Sequence, residues 1–504
     1  MQKKRALLIL MALPLLSCGN TEFVYSPYVY SPLETRPFYN VRYDGYKKVG
    51  EFSNIEAADA VIEPTLSSVL AHGGKRKCAA PLGESKITVI PVEFSDYRAD
   101  ELEQTHGGKA IEMIRGAFFG SANSNQFVSV AEYYDSSSFH RLHIVGDVDD
   151  AWFTPKETLA ELKTKHSSSS TKAALSSIYN QAIEWHNLRS ESKLEAGDPV
   201  YFVYCAPYSG YESGQTDRSS MLWAFTVNEP SPIAWSSFYM SHPDSGKLDA
   251  HTYIHETGHL LGLKDYYDTN AVSDFSSVSP LGRMDMMDCS LGEQNAFSKL
   301  TLGWNRPFVP TSSCTVTLRQ GPGNGDCLLL SPSWNGSPFD EYLLLEFYTP
   351  TLLNKVDAYL RADPAMRLMN KAGVKVYHVD ARLGLFEERR QTPLALVTKE
   401  TVTSGKIVDF YQNNSSSSKE YLVELIDASA AEGGLIKGYV ASDHIETIGN
   451  ASLRDVLFTA GQGSASPVFS GFRFHNGKEL GLSFTVESVE TNSATVRVEI
   501  EEAK

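Results

Sequence analysis

The hydrophobic pattern before about residue 310 predicts alternating strands and helices. Continuous apolar runs at 87–94 and 199–206 predict buried strands, and further strand-like pieces lie in 127–139 and 142–148. Apolar positions in 171–186 recur at helical spacing, which predicts a helix. Together these runs predict a mixed α+β domain over about 80–310.

Beyond residue 311 the pattern changes to short runs of Val, Leu, Tyr, Phe and Thr between polar turns. The last of these, 482–500, predicts a β-hairpin that turns at 490–493. We therefore expect 311–504 to form a β-rich C-terminal region, with a β-sandwich as the expected arrangement.

Composition and charge narrow the classes of function. Of the 504 residues, 42% are hydrophobic and 21% are charged, which is typical of globular domains. The formal net charge is −16 and no basic patch stands out, so we expect no nucleic-acid partner. Composition also argues against a coiled coil and a polytopic membrane protein, but it leaves the chemistry open.

The first eighteen residues have the pattern of an export signal. Three basic residues at 3–5 precede an apolar run over 6–16, which is shorter than the roughly 20 residues that span a bilayer as a helix. The run ends in Leu15-Leu16-Ser17-Cys18 and resembles the lipobox of bacterial lipoproteins. We expect 1–17 to be a lipoprotein signal peptide and Cys18 to be lipidated. A plain signal peptide with an incidental cysteine is the alternative.

Residues 18–79 are predicted to be a tether and a candidate pro-segment. A repeat of Val-Tyr-Ser-Pro over 24–32 is held extended by its prolines, which suits a stalk above a membrane. The Gly-containing basic run 73–77 predicts an exposed linker. The sequence thus predicts a protein at the bacterial cell envelope or surface, attached through lipid alone, with release after cleavage as the alternative.

One motif carries specific chemistry. Residues 251–268 contain His255-Glu256-x-x-His259, in which the two histidines lie one helical turn apart on the same face. Their ring nitrogens can meet one Zn²⁺ at about 2.0–2.1 Å. Glu256 lies about 100° around the helix from His255, so it can accept a proton from a metal-bound water without being a ligand. The motif predicts a catalytic zinc site with Glu256 as general base.

Gly262 and Asp265 extend this motif. Gly262 can end the helix in a left-handed turn, after which Asp265 can face the metal as an oxygen ligand. The alternative role for Asp265 is a capping or supporting carboxylate, with Glu346 or Asp268 as the fallback ligand. Asp268 otherwise fits a turn or a calcium ligand.

Methionines follow the zinc motif in the run Met284-Asp285-Met286-Met287-Asp288. A methionine lies beneath the zinc site in metzincins, and Met287 is the first candidate for it and Met286 the second. Core methionines in a loop are the alternative. Tyr266 and Tyr267 are nearby candidates for a second oxyanion donor.

Five cysteines follow Cys18, so at most two disulfides can form among them. Cys314 and Cys327 flank a Gly-rich loop, where the pattern is compatible with a cross-hairpin disulfide and equally with two unpaired cysteines. Cys78 is either a spare thiol, a disulfide partner of Cys205, or a thiolate that keeps a metal site latent.

Several segments together resemble the immune inhibitor A type of secreted bacterial metallopeptidases. The zinc motif and the block Lys299-Leu-Thr-Leu-Gly-Trp304 are the specific parts of this resemblance, which spans about 86–380. The segments that carry it are, in order, 89–96, 130–134, 255–268, 285–287, 295–304, 340–346 and 376–380.

The resemblance implies a metzincin-like zinc metallopeptidase domain with endopeptidase activity, and often a pro-segment and structural Ca²⁺. It carries over three residues as zinc ligands, His255, His259 and Asp265, and Glu256 as the catalytic base. The surroundings of Met287 depart from the family pattern, because another methionine precedes it and Asp288-Cys289 follow.

Taken together, the sequence predicts an exported, lipid-anchored zinc endopeptidase that hydrolyses protein or peptide substrates by a metal-activated water. A binding or adhesion lipoprotein that keeps the fold as a scaffold is one alternative, and a zinc hydrolase of non-peptide substrates is another. The intact Glu256 argues against the scaffold, since a lapsed enzyme need not keep its base. His378 and Asp380 share one strand face, where a structural pair is favoured over a catalytic role.

Overall fold

The structure, a computed structural model, describes much of the chain beyond residue 64. Its class is mixed α and β with four sheets in the described part, which confirms the mixed class predicted from the sequence. The described residues are 65–71, 76–121, 124–166, 171–208, 223–229, 231–267, 280–310, 313–321, 324–360, 367–387, 395–396, 407–415, 420–426, 428, 456–461, 463 and 474–500. The expected signal peptide 1–17, Cys18, the Val-Tyr-Ser-Pro repeat and Asp268 lie outside these ranges.

The described residues form ten α-helices, and a short 3-10 turn at Phe238–Ser241. The helices are α1 (Leu66–Leu70), α2 (Asp100–Thr105), α3 (Ala110–Phe119), α4 (Val130–Ser137), α5 (Leu159–His166), α6 (Thr171–Arg189), α7 (His251–Leu260), α8 (Met286–Cys289), α9 (Ala296–Thr301) and α10 (Asn354–Tyr359).

Seventeen strands lie in the same ranges, and most of those beyond residue 310 are short. They are β1 (Gly83–Val92), β2 (Leu142–Val148), β3 (Val200–Tyr204), β4 (Phe225–Val227), β5 (Ile233–Ser237), β6 (Pro307–Phe308), β7 (Cys314–Gly321), β8 (Asn324–Gly325), β9 (Cys327–Leu330), β10 (Glu341–Tyr348), β11 (Gly373–Asp380), β12 (Leu383–Phe386), β13 (Ala395–Leu396), β14 (Ile407–Phe410), β15 (Val423–Leu425), β16 (Leu482–Val489) and β17 (Ser493–Ile500).

The first sheet has the strand order β2-β1-β3-β5-β4 and is parallel except for β4, which runs antiparallel to β5 at the edge. Alternate residues of β1 enter two different buried clusters: Ile87 and Val89 face one, and Ile90 and Val92 face the other. Helices cover both faces, as is usual for a parallel sheet. This is why β1 and β3 read as continuous apolar runs, and both confirm the predicted strands.

One predicted strand-like stretch is wrong. Part of 127–139 forms the helix α4 instead, because Ser129 and Glu132 build a capping box at its start. The Ser129 hydroxyl accepts from the Glu132 backbone N–H, and the Glu132 carboxylate accepts from the Ser129 backbone N–H, both at 3.2 Å. Capping and the burial of Tyr133 and Tyr134 outweigh the strand preference of the tyrosines.

The second sheet, ordered β15-β11-β10-β9-β6, connects the two halves of the molecule. Tyr342 and Leu344 of β10 point into the largest buried cluster, which also contains residues of α7 and α9. Leu343 and Leu345, on the opposite face, enter a cluster shared with β7, β16 and β17. A core therefore extends across residue 310, where the sequence suggested a domain boundary.

Two smaller sheets complete the β-rich part. One is ordered β16-β17-β7-β8, and the hairpin β16–β17 within it confirms the hairpin predicted for 482–500. The other is ordered β13-β12-β14. Cys314 and Cys327 lie in strands of different sheets, and all five described cysteines are thiols, so the disulfides considered from the sequence do not form in this structure.

Among the described helices, none is both long enough and apolar enough to pass through a bilayer.

Candidate metal centre

Helix α7 lies against the first sheet and carries both histidines of the motif. An Asp249 carboxylate oxygen accepts from the backbone N–H of His251, the first residue of the helix, at 3.0 Å. His255 and Glu256 are buried, with 7% and 4% of their surfaces exposed. The helix that the spacing of His255 and His259 predicts is thus confirmed, and it runs from His251 to Leu260.

Two imidazole nitrogens and one carboxylate oxygen converge beyond this helix. His255 Nε2 and His259 Nε2 each lie 3.2 Å from Asp265 Oδ1. Ligand atoms around a tetrahedral zinc ion with bonds near 2.0–2.1 Å are about 3.3 Å apart. The two distances from Asp265 Oδ1 therefore match the edge of a zinc coordination tetrahedron. We call His255, Glu256, His259 and Asp265 the helix site.

Backbone carbonyls orient both rings. His255 Nδ1 donates to the carbonyl of Met286 at 2.7 Å, and His259 Nδ1 donates to the carbonyl of Leu263 at 2.8 Å. A carbonyl oxygen can only accept, so each Nδ1 carries a proton, and Nε2 is the nitrogen that can bind a metal once it has lost its own proton. Both Nε2 atoms face Asp265, and a hydrogen bond from the other ring nitrogen is the usual support for metal-binding histidines.

A glycine turn brings Asp265 back to the helix. Gly262 has φ of 104°, and Leu263 N–H donates to the carbonyl of Gly258 at 3.0 Å. A Cβ atom at Gly262 would lie 2.9 Å from Leu70 Cδ1 and 3.2 Å from Cys78 Sγ. Both the backbone conformation and the lack of space favour glycine here, as the sequence predicted.

The charges of the helix site favour an ionised Asp265. Burial disfavours charge there, but the Asp265 carboxylate raises the pKa of His259 to about 9. Against the same burial, the two imidazoles hold the pKa of Asp265 well below its usual value. A carboxylate that stays ionised beside two imidazoles offers the negative charge that a bound cation needs.

Glu256 lies beside the three converging atoms and is held by a neighbouring strand. One ring nitrogen of His255, one ring nitrogen of His259 and one carboxylate oxygen of Glu256 all lie within 4.8 Å of one another. The hydroxyl of Thr226, on β4, donates to Glu256 Oε2 at 2.8 Å. Burial raises the pKa of Glu256, which brings it toward the range in which a general base operates near neutral pH.

Both candidate methionines contribute to the floor of the site, by different atoms. Met286 supplies the carbonyl that orients His255, whereas the Met287 sulfur lies 2.5 Å from where a Cβ at Gly258 would be. Tyr266 N–H donates to the Met287 carbonyl at 2.9 Å. The side chain directly beneath the helix is therefore that of Met287, the first candidate.

Asp285 fixes this methionine segment. One of its carboxylate oxygens accepts from the Met287 backbone N–H at 2.7 Å, and the other accepts from the backbone and side-chain N–H groups of Asn295 at 2.8 and 2.9 Å. Burial raises the pKa of Asp285 to about 6. The methionine segment is thereby fastened to α9, which Asn295 itself caps.

Several residues considered from the sequence lie elsewhere. Glu346 accepts a hydrogen bond from the Tyr377 hydroxyl at 2.6 Å and lies 3.7 Å from Lys375, in a small polar cavity of about 30 Å³. The Tyr266 hydroxyl bonds Ser298 at 2.8 Å, whereas the Tyr267 ring lies 6.5 Å from that of His255. Of the two tyrosines, Tyr267 is the one whose ring lies near a candidate zinc-binding histidine.

Cys78 is close to the motif but is not part of the donor set. Its sulfur packs toward Gly262, and burial raises the pKa of the thiol to about 11. A thiol with such a pKa is neutral at physiological pH while no metal is bound. The groups of metal-binding side chains in the described part of the chain do not include Cys78, and latency through this thiol stays a prediction.

Comparison with known proteins adds no assignment. No family model matches the chain, and no curated protein matches it. The assignment of a function therefore rests on the residues of the site.

Sequence reasoning missed Thr226 as a residue of this site. It lies thirty residues before Glu256 on a three-residue strand, and nothing in its local pattern marks it. Its role follows from β4 occupying the edge of the first sheet next to α7, and this arrangement is a property of the tertiary fold.

Proposed function

We propose that this protein is a zinc-dependent endopeptidase, exported and lipid-anchored, with the helix site as its active site. The observation that carries the proposal is the convergence of His255 Nε2 and His259 Nε2 on Asp265 Oδ1, at 3.2 Å each, next to a buried glutamate. Two imidazoles and one carboxylate are a donor set found in catalytic zinc sites, which leave a further position for water or substrate.

Zinc bound by these residues would lower the pKa of a water ligand toward 7 and polarise a carbonyl oxygen. Glu256 would accept the proton of that water at a carboxylate oxygen and return it to the leaving amine. The Thr226 hydroxyl, bonded to Glu256 Oε2, would keep the carboxylate in one orientation during both transfers. His255 and His259 are held by backbone carbonyls and need not reorient.

The edge strand β4 favours peptides as the substrate class. Among the described strands it pairs with β5 on one side and ends the first sheet on the other. An extended peptide can add to such an edge through main-chain hydrogen bonds. Because Thr226 of β4 touches Glu256, a peptide aligned along β4 would pass beside the general base.

We further propose a metzincin-like architecture for the first part of the chain and a β-sandwich for the C-terminal part. The position of Met287 beneath Gly258 of the zinc helix supports the former. The buried cluster shared by β9–β11 with β7, β16 and β17 supports the latter, since residues from the faces of two sheets meet there. The proposed localisation rests on the Leu15-Leu16-Ser17-Cys18 motif alone.

Zymography of the full chain on casein and gelatin tests the enzymatic proposal. We expect cleavage of protein substrate that a chelator abolishes and added Zn²⁺ restores, and that the Glu256→Gln variant lacks. A zinc-loaded chain that cleaves neither protein would contradict the proposal and favour a scaffold role. Cleavage that persists in chelator would contradict the metal mechanism.

A further inference from the structure

A second cluster of histidines and carboxylates lies in the β-rich part, far from α7 in the sequence. Register places Glu341 of β10 opposite Asp380 of β11, and His378 of β11 opposite Glu424 of β15. His475 joins them from the segment before β16. We call these five residues the sheet cluster.

Three donor atoms of the sheet cluster converge as in the helix site. His378 Nε2 lies 3.1 Å from Glu341 Oε1, and His475 Nδ1 lies 3.8 Å from the same oxygen. One ligand atom from each of these three residues lies within 4.8 Å of the others. Asp380 Oδ2, 3.0 Å from His475 Nδ1, is placed as a fourth donor. These separations bracket the edge of about 3.3 Å expected of a tetrahedral zinc site.

Supporting contacts hold the donors in place. Glu424 Oε1 lies 2.9 Å from His378 Nδ1, so it can accept that proton and leave Nε2 as a ligand. This carboxylate–histidine arrangement is the usual support for metal-binding imidazoles. Glu341 also accepts from the backbone N–H groups of His475 and Asn476, the latter at 3.0 Å.

The balance of charge calls for a cation. Three carboxylates of the cluster are buried, with 5% exposure or less: Glu341, Asp380 and Glu424. Arg382 pairs with Asp380 through two hydrogen bonds of 2.7 Å and compensates one of these charges. Two negative charges remain when the imidazoles are neutral, and a divalent ion would offset both. The competing state is a pair of imidazolium ions with no metal.

The structure assigns a second metal site to these residues: we propose that Glu341, His378 and His475, with Asp380 adjacent, bind one Zn²⁺ that fastens the C-terminal hairpin to the second sheet. Imidazole together with carboxylate suits zinc better than calcium, which prefers oxygen ligands. The donors come from two strands and from the segment leading into β16, so the ion would join chain segments that lie far apart in sequence. Closed, protein-only coordination is typical of structural zinc.

Zinc counting on the purified full chain, after loading with Zn²⁺ and removal of excess, tests this assignment. We expect two zinc ions per chain in the wild type and one in the double variant His255→Ala/His259→Ala. Adding His475→Gln to that double variant should remove the remaining zinc. His143→Gln, which changes an exposed histidine outside both clusters, is the matched control and should not alter any count.

A second measurement decides the case if the double variant does not fold. His475→Gln alone should bind one zinc fewer than the wild type, and added Zn²⁺ should raise its melting temperature less than that of the wild type. The second site would be overturned if the folded double variant His255→Ala/His259→Ala bound no zinc, or if His475→Gln bound as many zinc ions as the wild type. Either result would favour the pair of imidazolium ions. Because these zinc counts do not depend on proteolysis, they test the second site even if the protein proves not to be an endopeptidase.

Discussion

The helix site and the sheet cluster are built from the same types of side chain, histidines and carboxylates, but they differ in their exposure to solvent. The Asp265 side chain is 27% exposed, whereas those of Glu341 and Asp380 are completely buried. In the helix site a glutamate stands beside the donors and is held through only one of its oxygens by Thr226. In the sheet cluster backbone N–H groups and Arg382 engage the carboxylates.

This difference in exposure and in bonding suits the helix site to a catalytic role and the sheet cluster to a structural role. A catalytic metal needs an open position and a nearby base, while a structural metal is enclosed by protein donors. The helix site has both an exposed side and a base, and the sheet cluster has neither a comparably exposed carboxylate nor a base set apart from the donors. Activity should therefore respond to changes in the first cluster, and stability to changes in the second.

The largest effect is expected from Glu256→Gln. The amide cannot accept the proton of the water, so proteolysis should fall by about 10²–10⁴-fold, while zinc stays bound because Glu256 is not a ligand. Rates on casein and zinc content measured on the same preparation check this. Glu84→Gln, at an exposed glutamate, is the control. A Glu256→Gln variant that keeps more than about a tenth of the wild-type rate would contradict the assignment of Glu256 as general base.

Next in size is the effect of Asp265→Ala on zinc affinity at the helix site. Loss of supporting groups alone costs about 10–100-fold in metal affinity, so loss of a ligand should cost at least about tenfold. Asp265→His should restore part of it, since imidazole is also a zinc ligand. Competition against a chelator measures the affinity. Full occupancy of Asp265→Ala under that challenge would place the third ligand elsewhere.

The two clusters also differ in how far the sequence foretold them. The helix site was predicted because helical periodicity puts His255 and His259 on one face, and Gly262 permits the chain to return at Asp265. The sheet cluster was not, because only the tertiary fold brings the His475 segment next to Glu341, which lies 134 positions earlier in the chain. The sequence showed only the pair His378 and Asp380, whose shared strand face is a local property.

The elements of the fold likewise divide into those that a local sequence pattern predicts and those that depend on tertiary contacts. Buried strands such as β1 and β3 were visible as apolar runs because both of their faces are covered. At α4 the strand preference of the tyrosines predicts the wrong element, because the Ser129–Glu132 capping box starts a helix there. The pairing of β10 with β9 and β11, and the core across residue 310, depend on contacts that no local pattern encodes.

A smaller effect on catalysis is expected from Thr226→Val, which keeps the shape of the side chain but removes its hydrogen bond to Glu256. We place Thr226 as a positioning residue, so kcat should fall about tenfold, in keeping with about 1.5 kcal/mol for a hydrogen bond to a charged group. KM and zinc content should stay close to wild type. Thr226→Ser should recover most of the rate. An equal loss in Thr226→Ser would mean that packing, not the hydroxyl, matters.

The smallest effect concerns His251, a third histidine between carboxylates that belongs to neither cluster. Its Nδ1 contacts Asp249, its Nε2 lies 3.0 Å from Asp357 Oδ2, and its ring stacks on Phe127 at 4.0 Å. Among the described residues none of these contacts brings a second imidazole to His251, so a proton rather than a metal is the expected occupant. Although burial opposes it, Asp249 and Asp357 raise the pKa of His251 from 6.5 to about 9.

The sign of the resulting pH dependence follows from this raised pKa. The imidazolium stabilises the folded state fully below about pH 6.5, and the contribution is lost as the pH rises through about 9. His251→Gln, which is neutral throughout, should therefore melt several degrees below the wild type at pH 6.5, and the difference should shrink above pH 9. Melting curves of both proteins, with and without Zn²⁺, measure it. A difference in melting temperature that is constant with pH would contradict a buried imidazolium at His251. A difference that depends on Zn²⁺ would instead make His251 a metal ligand. Contact with two carboxylates would then not show whether a buried histidine binds a proton or a metal.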